Sequence, residues 1–118
     1  MAFDHERLDV YQASLDFLVH AEQLIAALPR GRGHLADQLA RASLSVVNNI
    51  AEGTGKTSAA EKRRYYTTAR GSATESAALL DVYLRLRLTS EDNHRTGKDL
   101  LVRIVSMLVK LARSVEER

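Results

Sequence analysis

Cysteine is absent from the 118 residues, which removes disulfide scaffolds, thiol nucleophiles and cysteine-based zinc or iron–sulfur sites from consideration. Proline occurs once and glycine six times, the frequency of an ordinary compact domain rather than of a low-complexity chain. No run approaches the roughly 18 apolar residues that a membrane span needs. The opening Met1-Ala2-Phe3-Asp4 has no basic stretch followed by an apolar one, so no leader is expected and the cytoplasm is the expected address. What is present is 45% hydrophobic and 27% charged residues in 13.1 kDa. A chain of this size buries roughly two-thirds of its unfolded surface, enough to fold without a staple or a structural metal. One domain over residues 1–118 is expected.

Apolar residues recur at helical spacing in four segments, and no alternating β-branched run competes as a strand. The pattern predicts helices over about 6–28, 34–52, 59–87 and 91–116. In the first, Leu8, Tyr11, Leu15, Leu18 and Ile25 form one stripe, with Val10, Phe17, Ala21, Leu24 and Leu28 beside it. Together they cover roughly 200° of the helix, wider than the ~100° a single buried face needs, which suggests burial on two sides. Pro29 and the glycines of Arg30-Gly31-Arg32-Gly33 end that helix. Gly53 suits the residue after the second helix, Ser58 and Glu61 fit a capping box for the third, and Ser90 with Glu91 and Asp92 opens the fourth. The fold class is therefore all-α, an up-down-up-down four-helix bundle.

The middle of the third helix, Thr67 to Ala78, is nearly devoid of large side chains and includes Gly71, which costs about 1 kcal/mol of helix propensity. Ala69, Ser72, Ala73 and Ser76 mark a tight crossing, either a thin core or a contact between subunits. Glu22 and Glu75 fall inside otherwise apolar arcs, where a carboxylate needs a partner. They are expected to meet arginine or hydroxyl groups in an interface.

Gly53-Thr54-Gly55-Lys56-Thr57-Ser58 ends like a phosphate-binding loop. The motif fails because Ile50 stands where its first glycine belongs and a helix stands where its strand belongs. None of His5, His20, His34 and His94 has a histidine partner three or four residues away, so no metal site and no cofactor are expected. No evident nucleophile or acid–base pair points to an enzyme. Charge is more informative. Residues 1–28 hold one basic and five acidic side chains, residues 29–70 eight basic and three acidic, and residues 71–118 eight and seven. Lys56, Lys62, Arg63, Arg64 and Arg70 are dense and interleaved with Tyr65 and Tyr66, a combination that suits phosphates and unpaired bases. The alternative is a solvated helix face with Tyr65 in the core.

Leu8-Asp9-Val10-Tyr11-Gln12-Ala13, Gln38 to Ser43, Ser45 to Gly53 and Ser58 to Glu75 run through nearly the whole chain. With Asn49-Ile50-Ala51-Glu52-Gly53 followed by Ala69-Arg70-Gly71-Ser72-Ala73-Thr74-Glu75, they resemble the bacterial four-helix-bundle family of 23S rRNA intervening-sequence proteins. A related accessory protein of diversity-generating retroelements associates with a reverse transcriptase and nucleic acid. The resemblance implies a ring-like homopentamer with a basic surface for RNA or DNA and no assigned activity. Arg41, Lys56, Lys62, Arg63, Arg64 and Arg70, with Arg30 and Arg32 in a loop, are the expected nucleic-acid contacts. Val10, Phe17, Leu24, Ala69, Ser72, Ala73, Glu75 and Ser76 are the expected subunit contacts. The rival expectation is an adaptor for a protein such as a polymerase, with nucleic acid incidental.

Overall fold

The computed structural model describes residues 3–116, and among them every regular element is helical. A short 3-10 helix, Asp4–Arg7, precedes α1 (Asp9–Ala26), α2 (Gly33–Thr54), α3 (Ala59–Arg85) and α4 (Glu91–Glu116). Each long helix packs on its sequence neighbours and α4 closes against α1, while no diagonal pair touches through its backbone among the described residues. This is a four-helix bundle measuring 47 × 24 × 22 Å.

The first helix departs from its expected 6–28 span at both ends. Leu8 is extended (φ −83°, ψ 128°), and its N–H donates to the His5 carbonyl, so the N-terminal turn is a separate piece. Gln12 Nε2 donates to the Glu6 carbonyl at 3.2 Å and ties that piece to α1. At the other end Pro29 disfavours helical geometry in Leu28, and α1 stops at Ala26. The third helix ends at Arg85 rather than 87. Arg87 takes a left-handed φ of 61°, and the Leu88 N–H reaches the Tyr83 carbonyl at 2.8 Å, closing the last turn. Ser58 accepts from the Glu61 N–H at 3.1 Å and Ser90 from the Asn93 N–H at 3.0 Å, the two caps expected.

The core takes Val10, Phe17 and Leu24 from α1, Leu39, Val46 and Ile50 from α2, Leu80 and Tyr83 from α3, and Leu101, Ile104 and Leu108 from α4. Ala69, Ala73 and Ser76 are also fully buried inside the protomer. Val10, Phe17, Leu24, Ala69, Ala73 and Ser76, expected to meet another subunit, are covered within this protomer by the bundle's own helices. The Ser76 hydroxyl returns to the Ser72 carbonyl of its own helix at 2.9 Å, so its burial needs no outside partner. Ser72 is half-buried and shares a 2.8 Å hydrogen bond with Ser45 across the α2–α3 contact. Glu22 and Glu75 are both exposed, so neither carboxylate lies in an apolar setting. The wide stripe of α1 is used mainly at home as well, with Leu8, Tyr11 and Ile25 packed half-buried against the same core.

Two polar contacts pin α3 to its neighbours. Asp81 accepts from Lys98 Nζ at 2.7 Å and lies 2.8 Å from His94 Nε2; the Lys98 bond, then His94, hold its carboxyl below the usual value. Tyr83 donates its buried hydroxyl to the Leu35 carbonyl at 2.9 Å, and burial pushes its pKa from 10.0 to about 12. A folded-state pKa raised in this way contributes stability below pH ~10 that is lost as pH climbs toward the folded value. Denaturant midpoints should therefore fall between pH 10 and 12 in the wild type and fall less in Tyr83→Phe, which at neutral pH should lose about 1 kcal/mol.

Candidate nucleic-acid interface

Where α2 hands the chain to α3, the sequence must turn within four residues, and the local chemistry shows how. Gly53 does not follow the helix as expected. It lies buried within the last turn of α2, and Gly55 caps the helix with a right-handed φ of −78°. A Cβ on Gly53 would sit 2.9 Å from both Tyr65 Cβ and Tyr66 Cε1, so its lack of a side chain is what lets the start of α3 fold back against α2. Thr54 Oγ1 donates to the Ile50 carbonyl at 2.8 Å and meets the Tyr66 hydroxyl at 3.0 Å. Lys62 Nζ donates to the Thr54 carbonyl at 2.8 Å, occupying one acceptor at the helix end.

The two tyrosines divide their roles in the opposite way to the core alternative raised for Tyr65. Tyr66 is 3% exposed and belongs to the core; Tyr65 is half-buried at the surface. Lys56 Nζ and Arg64 Cζ each stand 5.3 Å from the Tyr65 ring centroid, two cations held by one ring. Lys56 is also 3.7 Å from Glu52 Oε2, one turn back along α2. Arg64 is exposed and Arg63 half-buried beside it. This corner therefore gathers Lys56, Lys62, Arg63 and Arg64 around an aromatic surface, with Glu52 and Glu61 as the nearby acids in sequence.

The remaining expected contacts are not brought there. Arg30 and Arg32 lie in the α1–α2 connection, at the opposite end of α2, whose 22 residues span ~33 Å. They are separated from the corner by the length of the bundle and do not extend its patch. Arg41 and Arg70 are exposed about midway along α2 and α3, roughly 15–20 Å from the turn at 1.5 Å per residue. Conversely, the fold brings to the corner residues that charge patterning leaves unassigned. The N-terminal turn packs against α2, so Phe3 and His5 stand beside Asn48 and Lys56. Asn48 falls within the Ser45–Gly53 segment that carries the family resemblance, whereas Phe3 and His5 gave no sign in the sequence of belonging to this corner.

No group of three His, Cys, Asp or Glu side chains is arranged to hold a metal ion among the described residues. No helix among them is long and apolar enough to cross a membrane. A glycine position this confined is directly testable: Gly53→Ala should cost about 1–3 kcal/mol in chemical denaturation through overpacking against Tyr65 and Tyr66, far more than an alanine in an open helix position.

The model of the family described as "23S rRNA-intervening sequence protein" matches residues 6–110. The fold is also similar to a crystal structure from Bacteroides thetaiotaomicron VPI-5482, described as a protein with unknown function from the S23 ribosomal protein family. The two agree with a TM-score of 0.81 at 21% sequence identity, over 88% of this chain and 95% of that one. No curated protein matches the sequence.

Proposed function

This chain belongs to the 23S rRNA-intervening sequence protein family, and we propose that it is a non-enzymatic homo-oligomer that binds RNA or DNA through the α2–α3 corner. The observation that carries the reading is the Tyr65 ring flanked at 5.3 Å by Lys56 and Arg64, with Lys62 and Arg63 adjacent. Cations held by an aromatic ring keep their charge at the surface while losing side-chain freedom in advance, which favours phosphate contact. If Lys56, Arg63 and Arg64 neutralise three phosphates per protomer, duplex affinity should fall roughly fortyfold between 50 and 200 mM salt. A ring of copies then adds avidity without further contacts.

Assembly is supported by a surface that borders the small-residue face of α3. Between α3 and α4 a groove of about 250 Å³ is lined by Ala73, Ala77, Leu101, Val102 and Val105, and Val102 is 64% exposed. An apolar groove with a solvent-facing valine suits a second copy of the chain. The number five rests on the family resemblance alone. The same groove supports the second reading, an adaptor whose partner is another protein and whose nucleic-acid contact is incidental.

Two measurements separate these readings. Replacing Lys56 and Arg64 by Glu together should lower affinity for an RNA hairpin or DNA duplex more than tenfold near 0.1 M salt and make the salt dependence shallower by about two phosphates. Unchanged binding would remove the corner from the mechanism. In light scattering the wild type should show several multiples of 13.1 kDa, and Val102→Asp should reduce the mass to one protomer. A stable oligomer that ignores both nucleic acids would favour the adaptor.

A further inference from the structure

A cleft of about 600 Å³ lies where the N-terminal 3-10 turn crosses the C-terminal half of α2. We propose that it is a subsite for one unpaired nucleobase of an RNA or DNA strand. The inference rests on the nucleic-acid reading above and adds to it which form of nucleic acid the corner prefers.

The cleft's aromatic wall is assembled before any ligand arrives. Phe3 stacks on His5 with centroids 5.7 Å apart and planes 19° from parallel, and His5 meets the Tyr11 ring edge-on at 4.7 Å. Phe3 closes this column and is 71% exposed, more than any other large apolar side chain described. An exposed flat ring supported from behind by two others is the arrangement on which a base stacks, and stacking tolerates any base because each has a π-face.

The opposite side of the cleft is polar and nearly charge-balanced. Asn48 and Glu52 lie four residues apart on α2, which makes them neighbours on one face. An exposed amide offers a donor and an acceptor to a base edge, and a carboxylate accepts from an exocyclic amino group. Ala51 between them adds no bulk. The carboxylate of Glu52 is offset by Lys56 at 3.7 Å, so the lining suits a neutral heterocycle better than a phosphate. Lys56 also stands over Tyr65, which joins the cleft to the cationic corner without a gap. A strand could therefore place one base against Phe3 while its flanking phosphates meet Lys56 and Arg64. A paired base cannot enter, because its faces are already covered by stacking and its edge by its partner.

The test uses the full chain with RNA and DNA 12-mers, each single-stranded or duplex, and 2-aminopurine at a central position. The wild type should bind the single strand more tightly than the duplex and quench the 2-aminopurine. Phe3→Ala and Phe3→Leu should weaken single-strand binding roughly 5- to 150-fold and abolish the quench, with duplex affinity unchanged. Phe3→Trp should retain both. Phe3→Leu keeps apolar bulk without a flat ring, so normal binding by that variant would overturn the stacking role, as would equal losses for strand and duplex. In either of those results the corner reading survives if charge reversal at Arg64 still weakens the duplex. A wild type that binds neither form near 50 mM salt overturns both readings.

Discussion

Ala69, Ala73 and Ser76 give the middle of α3 almost no side-chain bulk on its buried face, and Gly53 gives the end of α2 none. That shortage of volume lets α2 and α3 approach closely, and much of the bundle is arranged around it. The Ser45–Ser72 hydrogen bond, the Thr54–Tyr66 bond and the Tyr83 hydroxyl on the Leu35 carbonyl lie along this contact from its middle to both ends. Larger side chains from α1 and α4, among them Phe17, Leu24, Ile104 and Leu108, fill the space that remains. A core built this way is sensitive to one added methyl at the crossing, since neighbouring backbones cannot retreat without disturbing the caps at either end.

The same contact produces the candidate site. Because the α2–α3 turn is short and Gly53 admits Tyr65 and Tyr66 at close range, one tyrosine is drawn into the core and the other is left at the surface. Lys62 is then committed to a helix-end carbonyl, while Lys56 and Arg64 are set on the exposed ring. The basic run of the sequence thus divides into a cation with a structural task and cations facing outward. The N-terminal turn contributes what charge alone lacks, an aromatic surface next to a polar helix face.

Much of the architecture was legible from spacing. The α4 stripe of Leu101, Ile104, Leu108, Leu111 and Val115 faces the core as the three-four periodicity predicts, with Leu111 half-buried and the other four buried, and the Ser58 and Ser90 caps form as their side-chain chemistry predicts. Helix ends were less legible. Leu8 looks helical by composition, yet its backbone is extended, and Arg87 adopts a left-handed turn more common for glycine. Neither conformation is demanded by the residue itself; each follows from how the adjoining segment packs. The small residues of α3 carried a true signal of close approach, but periodicity cannot say whether the approaching backbone belongs to the same protomer.

By itself the sequence determined the class, the number of helices, their order and the uneven distribution of charge, because these depend on local periodicity, capping and composition. Tertiary structure decided which basic residues act together. Arg30 and Arg32 precede Arg41 closely in sequence yet sit a bundle length from Lys56, because α2 runs for 22 residues between them. Phe3 and Lys56 are more than fifty residues apart and line one cleft, because the chain returns to its starting end after two helices. Proximity of that kind is set by helix length and direction of travel, which no local pattern of residues records.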